Sequence, residues 1–321
     1  MTNTTDRPNL TSFIGQDDVK SNLTILLNST KQRGAVLDHV LFHGGPGLGK
    51  THLSQIIADE LGTELVTTIA PAINTPADMV SIILKMGRGD ILFIDEIHAL
   101  GRKTEEMLYT AMESRVVDVV FGQDFPQTIR IPLPPFTVIG ATTRLAHVTE
   151  PLRARFGSTF RLNYYGVEDL STIIANASAK EGIAITPDGL AEVAKRSRGT
   201  PRIALKLVKR ARDYAIAFSA ELDADTAGKA LDALGIDAKG LNADDRKYLG
   251  ALCDRKVPIG IEALASMLNE EVDTLEDVVE PFLLYCGFIQ RTTRGRIATQ
   301  AGFEHLGRGA EYTNEMAGVL K

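Results

Sequence analysis

The sequence predicts an α/β domain with a parallel sheet, followed by a helical segment and a C-terminal winged-helix domain. Three observations lead to this prediction. A glycine-rich turn at residues 44–51 lies between an apolar run and a helical pattern, and a second apolar run ends in two carboxylates at residues 95–96. Near the C-terminus, three helical patterns precede an arginine-rich ribbon at residues 288–299. The first two features are typical of an open parallel sheet, and the third is typical of a helix-turn-helix relative.

The composition leaves room for two or three domains and excludes several classes of protein. The chain has 321 residues, a formal net charge of −6 and two cysteines, Cys253 and Cys286. Two cysteines are too few for a disulfide framework or a four-cysteine zinc site, and we interpret both as buried core thiols. The net charge argues against indiscriminate coating of nucleic acid, so DNA binding would need a local basic patch. The N-terminus is polar and no apolar run approaches the length of a membrane span, so we expect a cytoplasmic protein without a membrane partner.

The glycine-rich turn has the pattern of a phosphate loop. Residues 44–51 read Gly-Gly-Pro-Gly-Leu-Gly-Lys-Thr, with a predicted strand before them and a predicted helix after them. Gly47 and Gly49 allow backbone N–H groups to approach phosphates, Lys50 reaches their β and γ oxygens, and the Thr51 hydroxyl binds Mg²⁺. A glycine-rich turn with a chance lysine is the alternative, but both flanks favour a site for ATP and Mg²⁺.

The second motif is an apolar strand that ends in two acids. Residues 91–96 read Ile-Leu-Phe-Ile-Asp-Glu. In a nucleotide hydrolase of this kind, Asp95 would hold the Mg²⁺ shell and Glu96 would polarise the attacking water. The pattern is weak by itself, and it gains weight because it follows a phosphate loop.

Residues 116–132 predict a β-hairpin inserted into this domain. Apolar and polar residues alternate on both sides of a turn at residues 122–124. The hairpin is either a docking device for a partner, with Phe121 and Phe125 as exposed anchors, or a plain surface ribbon.

Two further candidates follow the hairpin. Thr142 ends a predicted strand at residues 136–141, and a polar residue there can contact the γ-phosphate or its water. Arg155 lies near a helix end in the segment Arg-Ala-Arg-Phe, where an arginine can reach a neighbouring subunit's nucleotide. Without that context, a solvent-exposed arginine is the simpler interpretation.

Helical patterns occupy the rest of the chain, and their change near residue 237 marks a boundary. We therefore expect domains at residues 1–165, 166–237 and 238–321. Arg202, at the start of a predicted helix, could fold back onto phosphate. In the last domain, helices at about 242–253, 261–268 and 274–286 precede the ribbon, whose arginines suit contact with DNA phosphates. These arginines are Arg291, Arg294 and Arg296.

Taken together, the motifs resemble the RuvB family, hexameric AAA+ motors that drive Holliday-junction branch migration. The resemblance covers nearly the whole chain. It implies an α/β AAA+ P-loop ATPase core, an α-helical lid and a C-terminal winged-helix DNA-binding domain. The segments that carry it are Ile14-Gly15-Gln16, Gly44–Thr51, Asp95-Glu96-Ile97-His98, Leu133-Pro134-Pro135-Phe136, Gly140–Arg144, Pro151–Gly157, Gly199–Arg202 and Gln290–Arg296.

The resemblance also implies a role for individual positions and partners. The nucleotide would be contacted by Asp6 and Arg7 on the adenine side, by Tyr165, by the residue at position 52 and by the two sensors, Thr142 and Arg202. Arg155 would act on the neighbouring subunit's ATP in a ring of identical chains. The hairpin at 116–132 would bind the junction-recognition partner RuvA, and Arg291 and Arg296 would touch DNA.

Three positions depart from the family pattern. His52 stands where family members usually carry a second threonine. Residues 113–115, Glu-Ser-Arg, replace an acidic-aromatic segment near the nucleotide, and Val272 stands where a further DNA-contacting arginine can occur. We expect ATP hydrolysis to be retained. The departures at His52, Ser114 and Val272 bear on the affinity for DNA and on the identity of the partner.

Two functions fit these observations. The leading hypothesis is an ATP-driven motor that moves four-way junctions or their duplex arms. The alternative is a switch similar to a clamp loader, in which ATP gates binding to a protein partner. The predicted winged helix favours the motor, because clamp loaders usually carry a helical collar at that position.

Overall fold

The computed structural model describes residues 9–121 and 127–312. The side chains of residues 120–127 are outside that description, as are residues 1–8, which include Asp6 and Arg7. The chain forms two compact units, residues 1–165 and 166–321. Among the described residues, no helix is long and apolar enough to cross a membrane.

The first unit is built on a parallel five-stranded sheet in the order β2-β3-β6-β1-β7. Its strands are β1 (Val40–His43), β2 (Leu65–Ile69), β3 (Ile91–Asp95), β6 (Thr137–Thr142) and β7 (Ser158–Arg161). The three central strands β3, β6 and β1 are almost entirely buried, whereas β2 and β7 are partly exposed. The continuous apolar runs in the sequence therefore form the central strands of the sheet, which helices cover on both faces.

Helices connect these strands. They are α1 (Asp17–Arg33), α2 (Lys50–Leu61), α3 (Pro76–Ile83), α4 (Arg102–Ser114) and the short α5 (Glu150–Arg153). Local signals set their ends: α3 begins with a reciprocal cap between Thr75 and Asp78, and α2 ends at Gly62 in a left-handed conformation.

The strand ends bring the predicted motifs to one edge of the sheet. His43 at the end of β1 pairs with Thr142 at the end of β6, and Ile94 of β3 pairs with Gly140 of β6. Asp95 and Glu96 therefore follow the strand next to the one that ends at Thr142. Ligands of open parallel sheets bind at this carboxyl edge.

The hairpin expected at 116–132 is present. Strand β4 (Val116–Phe121) pairs antiparallel with β5 (Gln127–Pro132). Val117 is buried in the core of the first unit, and Ile131 packs against the same core. Ile129 lies on the same face as Val117 and Ile131 but further from the core, and it is exposed. The opposite face carries a pair between Arg130 and Asp118 at 2.9 Å. The hairpin is thus anchored at its base, and its apolar face becomes exposed beyond that base.

The second unit begins with a group of packed helices. These are α6 (Val167–Glu181), α7 (Pro187–Lys195), α8 (Pro201–Ala217) and α9 (Ala224–Ala233). Proline stands at the first position of α7 and of α8, where its missing N–H and fixed φ suit a helix start.

The C-terminal part of this unit is a winged helix. Its helices are α10 (Ala243–Arg255), α11 (Ile261–Leu268), α12 (Val272–Thr274), α13 (Glu280–Tyr285) and α14 (Gln300–His305), and its ribbon consists of β8 (Ile289–Thr292) and β9 (Gly295–Ala298). The predicted helix at 274–286 is a continuous run from Val272 to Tyr285 that widens into a π-helical turn at Leu275–Val279.

One expectation for the cysteines was wrong. Cys253 is buried, but Cys286 is only partly buried, because it caps the end of α13. Burial raises the pKa of both thiols to about 11, so both are protonated at neutral pH.

Contacts within the second unit join its helices to the winged helix. The Arg198 guanidinium donates to both carboxylate oxygens of Asp245 at 3.0 and 3.3 Å and lies 4.6 Å from the centre of the Phe282 ring. His305 Nε2 lies 2.9 Å from an Asp237 carboxylate oxygen. Arg198 has a φ of 54°, a conformation that is costly for a residue with a side chain.

Candidate active site

The phosphate loop runs from the end of β1 into α2 and depends on its glycines. Gly44, Gly47 and Gly49 have φ values of 144°, 75° and 103°. A Cβ at Gly44 would lie 2.5 Å from the carbonyl oxygen of Leu162, closer than atoms can approach. Glycine is therefore required both for the backbone conformation and for the close approach to the next chain segment.

Lys50 is held inside this loop. Its side chain is buried, and Nζ donates to the carbonyl oxygens of Gly44 and Gly45 at 2.8 and 2.9 Å. Beside it, burial and the charges of Arg161 and Lys50 lower the pKa of His43, which is therefore neutral at pH 7. The lysine is the main positive group of the loop.

Aromatic residues pack against the phosphate loop. Tyr165 is buried and donates from its hydroxyl to the carbonyl oxygen of Leu48 at 3.1 Å. Phe13 lies so close to Gly49 that a Cβ there would be 3.2 Å from its ring. The exposed His52 packs against Phe13 with ring centroids 5.6 Å apart. Phe13 was missed in the sequence, because nothing local relates residue 13 to the loop.

Asp95 and Glu96 follow β3 in a turn that fixes the backbone of both. Asp95 Oδ1 accepts a hydrogen bond from the Glu96 N–H at 3.0 Å, and Glu96 has a φ of 49°. The Asp95 carboxylate and the exposed Thr51 hydroxyl are hard oxygen ligands of the kind that Mg²⁺ prefers. The donor types therefore fit Mg²⁺.

The Glu96 carboxylate is held through one of its oxygens. Oε2 accepts from the Thr143 hydroxyl at 3.1 Å and from the Thr143 N–H at 3.3 Å, and His98 Nδ1 is also 3.3 Å away. Thr143 follows β6 on the neighbouring strand. These contacts set the direction of the carboxylate at the carboxyl edge of the sheet.

Thr142 has different partners from its neighbour. It is buried, its hydroxyl lies 2.9 Å from His98 Nδ1, and it accepts from the Arg144 N–H at 3.0 Å. The sequence indicated Thr142 as the strand-end residue that senses phosphate, and this role stays a prediction. The residue that contacts Glu96 is Thr143, one position further along.

Arg155 follows α5 and lies against α4. Its Nη2 is 2.7 Å from Glu113 Oε2, and its guanidinium is 5.9 Å from the centre of the Tyr109 ring. The pair is open to solvent, with 34% of the Arg155 side chain and 58% of the Glu113 side chain exposed. Glu113 belongs to the segment at 113–115 that departs from the family pattern, and Ser114 is exposed at the end of α4.

The wing arginines differ from one another. Arg294 is exposed in the turn between β8 and β9. Arg291 and Arg296 both bind Glu280 on α13 through Nε, each at 2.7 Å, and Arg296 also pairs with Glu276. Neither Glu276 nor Glu280 was predicted from the sequence as a partner of these arginines. The role of all three arginines in DNA binding stays a prediction.

Two more predicted positions lie in the second unit. Arg202 is exposed in the first turn of α8, and its role as a phosphate sensor stays a prediction. Val272 begins α12 and packs against the core of the winged helix, so an apolar residue suits this position. The predicted adenine contacts, Asp6 and Arg7, lie outside the described residues.

Fold and site together define a P-loop ATPase of the AAA+ class with a lid and a winged helix. The P-loop domain of the Holliday junction DNA helicase RuvB matches residues 7–162, the RuvB AAA lid domain matches residues 165–237, and the RuvB C-terminal winged helix domain matches residues 238–307. The chain belongs to the RuvB family.

Individual relatives agree with this assignment. The Holliday junction branch migration complex subunit RuvB of Paramagnetospirillum magneticum is 47% identical over 302 residues, which are 93% of this chain and 87% of the relative. The structure of the Thermotoga maritima RuvB Holliday junction branch migration motor matches with a TM-score of 0.84 and 44% identity, covering 94% of this chain and 98% of that one. A single-residue variant of the same protein matches with a TM-score of 0.86 at the same identity and coverage.

Proposed function

We propose that this chain is the ATP-hydrolysing subunit of a motor that moves four-way DNA junctions by branch migration. The observation that carries the proposal is the oriented Glu96 carboxylate, held by Thr143 next to Asp95, in a chain that also has a winged helix. A motor needs a hydrolysis site and a surface that grips DNA, and this chain supplies a candidate for each.

The phosphates of ATP would be bound by the loop of Gly47, Gly49 and Lys50. Lys50 would exchange the carbonyl oxygens of Gly44 and Gly45 for β and γ phosphate oxygens. Thr51 and Asp95 would hold Mg²⁺, which would neutralise charge on the phosphates. Tyr165 and Phe13 would keep the loop in its binding conformation.

Glu96 would polarise the attacking water. Because Oε2 already has the Thr143 and His98 contacts, Oε1 is the oxygen that would face the water. We assign to Thr143, rather than to Thr142, the task of linking the γ-phosphate to the orientation of Glu96. Thr142 would support it through His98.

Arg155 would complete the site of a neighbouring subunit. A trans-acting arginine stabilises transition-state charge only when subunits sit side by side, so the proposal includes a ring of identical chains, most simply a hexamer. Arg155 would leave Glu113 for the neighbour's phosphate.

The remaining contacts involve DNA and a second protein. Arg291, Arg294 and Arg296 would meet backbone phosphates of a duplex arm. The exposed part of the apolar face of the β4–β5 hairpin, around Ile129, would bind a RuvA-like junction-binding protein. Phe125 and the side chain of Phe121, the anchors expected from the sequence, lie outside the described residues. The cytoplasm would be the site of this work.

The test compares the ATPase rate of wild-type protein and of Glu96→Gln, with and without four-way junction DNA, at several salt concentrations. Wild-type turnover should rise with the junction and lose that stimulation as salt increases, because phosphate contacts are salt-dependent. Glu96→Gln should bind ATP normally but hydrolyse it at least about a hundredfold more slowly, as expected for the loss of a general base.

Two outcomes would contradict the proposal. Near-normal hydrolysis by Glu96→Gln would show that another group positions the water. ATPase activity that ignores junction DNA but responds to a protein partner would favour the switch similar to a clamp loader.

A further inference from the structure

Glu280 is a fully buried carboxylate that binds three side chains of the winged helix. Its side chain is 0% exposed. Oε1 accepts from the Tyr248 hydroxyl at 2.5 Å and from Arg296 Nε at 2.7 Å, and Oε2 accepts from Arg291 Nε at 2.7 Å. Arg291 Nη2 also contacts Oε2. A buried carboxylate that accepts this many hydrogen bonds is an integral part of the winged-helix structure rather than a chance surface pair.

The helix that carries Glu280 is shaped by the next residue. Pro281 has no N–H to donate to the carbonyl of Asp277, and its ring would clash with that carbonyl in a regular α-helix. The helix accommodates Pro281 by widening into the π-helical turn at Leu275–Val279. With the helix widened in this way, Glu276 and Glu280 both contact Arg296.

The ribbon has an electrostatic conflict that Glu280 resolves. Arg291 of β8 and Arg296 of β9 are directly opposite each other in the antiparallel pair, and like charges at such positions repel. Both guanidinium groups converge on the one carboxylate. Glu280 therefore holds two positive side chains next to each other that would otherwise move apart.

The Glu280 carboxyl group is charged at neutral pH. Burial raises its pKa, but the hydrogen bonds from Arg296, Tyr248 and Arg291 together lower the pKa below its usual value. The two arginines differ in what they leave for a ligand: 47% of the Arg291 side chain is exposed, against 14% for Arg296. Arg291 is the outer residue of the pair, and Arg296 lies behind it.

We propose that Glu280 is a positioning residue for DNA binding, which fixes Arg291, with Arg296 behind it, in the direction that meets backbone phosphates. The inference rests on the proposed contact between the wing and DNA. A positioning role predicts an effect of Glu280 on DNA affinity that is opposite to the effect expected from its charge alone. An acid next to a phosphate-binding surface should weaken binding by repulsion, whereas a positioning acid strengthens it.

The experiment uses the full chain and a duplex DNA probe at a series of salt concentrations. Glu280→Gln removes the negative charge with little change of shape. Charge alone predicts tighter binding with a steeper salt slope. Positioning predicts binding that is weaker by about tenfold, equivalent to about 1.4 kcal/mol, with a slope of log affinity against log salt that is shallower by about one unit.

A second variant decides the matter if Glu280→Gln fails to fold. Arg291→Lys keeps the charge on a partly exposed side chain but loses the planar fork that binds Glu280. It should also weaken DNA binding by about tenfold, a loss of about 1.4 kcal/mol. Arg294→Lys is the matched control, because the exposed Arg294 lies in the turn and should tolerate the exchange with little loss.

A folded state should be verified for each variant by thermal unfolding. A partly unfolded protein would lower the amount of active protein without changing the salt slope, so the slope separates positioning from a purely structural role. Unchanged or tighter binding by either folded variant would overturn the inference.

Failure of the inference differs from failure of the proposed function. The double variant Arg291→Ala with Arg296→Ala should weaken DNA binding whatever holds the arginines in place. If it does and Arg291→Lys does not, only the positioning role of Glu280 is wrong. If the double variant binds DNA normally, the wing is not the DNA contact.

Discussion

Two arginines, one in each unit, were both predicted from the sequence as phosphate ligands; each contacts a carboxylate, and the two contacts differ in burial. In the first unit, Arg155 pairs with Glu113 at 2.7 Å at the surface. In the second unit, Arg296 binds the buried Glu280 at the same distance and is itself largely buried.

The difference in burial determines how easily each arginine can leave its carboxylate. An exposed ion pair contributes roughly 0–1 kcal/mol, so Arg155 can leave Glu113 for a phosphate at little cost. A buried pair is costly to break from one side, because the remaining charge loses its partner away from water. Arg155 is therefore exchangeable, and Arg296 is fixed.

The largest effect should follow removal of the exchangeable arginine. We expect Arg155→Ala to bind ATP normally but to turn over on the order of a thousandfold more slowly, as expected for the loss of an arginine finger. Mixing Arg155→Ala with Lys50→Ala subunits should restore part of the activity, because the second variant supplies Arg155 to the intact pocket of the first.

The ATPase rate of the mixture is measured against each variant alone, with co-assembly checked by sedimentation. Mixed rings that assemble but stay inactive would show that Arg155 does not act on a neighbour, and the comparison would lose its functional half.

A smaller effect, on stability, should follow removal of the fixed arginine. We expect Arg296→Ala to lower the unfolding free energy by on the order of 3 kcal/mol at pH 7, because Glu280 is charged there and loses a buried partner. Urea unfolding of the full chain measures this, and the exposed Arg294→Ala should change the value by less than about 0.5 kcal/mol. Equal values for the two variants would mean that burial does not distinguish these arginines.

The smallest effect should follow loss of the exposed carboxylate. Glu113→Gln should change the unfolding free energy by less than about 1 kcal/mol and the ATPase rate by less than about tenfold. Urea unfolding and turnover of the assembled protein measure both. A loss of activity as deep as that of Arg155→Ala would make Glu113 part of the catalytic site and would break the contrast with Glu280.

The parts of the site that the sequence could predict are local in the chain. The phosphate loop and the Asp95-Glu96 pair are short motifs whose glycines, lysine and acids must be consecutive, so spacing reveals them. The hairpin and the ribbon were predicted from alternation and turn residues for the same reason.

The parts that could not be predicted join distant positions. Glu113 and Arg155 are brought together by the packing of α4 and α5, and Glu280 precedes the wing arginines by 11 and 16 residues. Both acidic partners of the wing arginines precede the ribbon, Glu276 in the π-helical turn and Glu280 on α13. The hydroxyl that contacts Glu96 belongs to Thr143 rather than to Thr142. The sequence does not show this, because it depends on the residue at which β6 ends.

The turn at Arg198 has a mechanical consequence. Its left-handed conformation costs a residue with a side chain about 1 kcal/mol or more, and the fork with Asp245 and the Phe282 ring hold it in place. Helix α8 starts three residues later, with Arg202 in its first turn. The start of α8 is therefore joined to α10 and α13 through the Arg198 side chain, so a displacement of α8 relative to the winged helix would have to break these contacts.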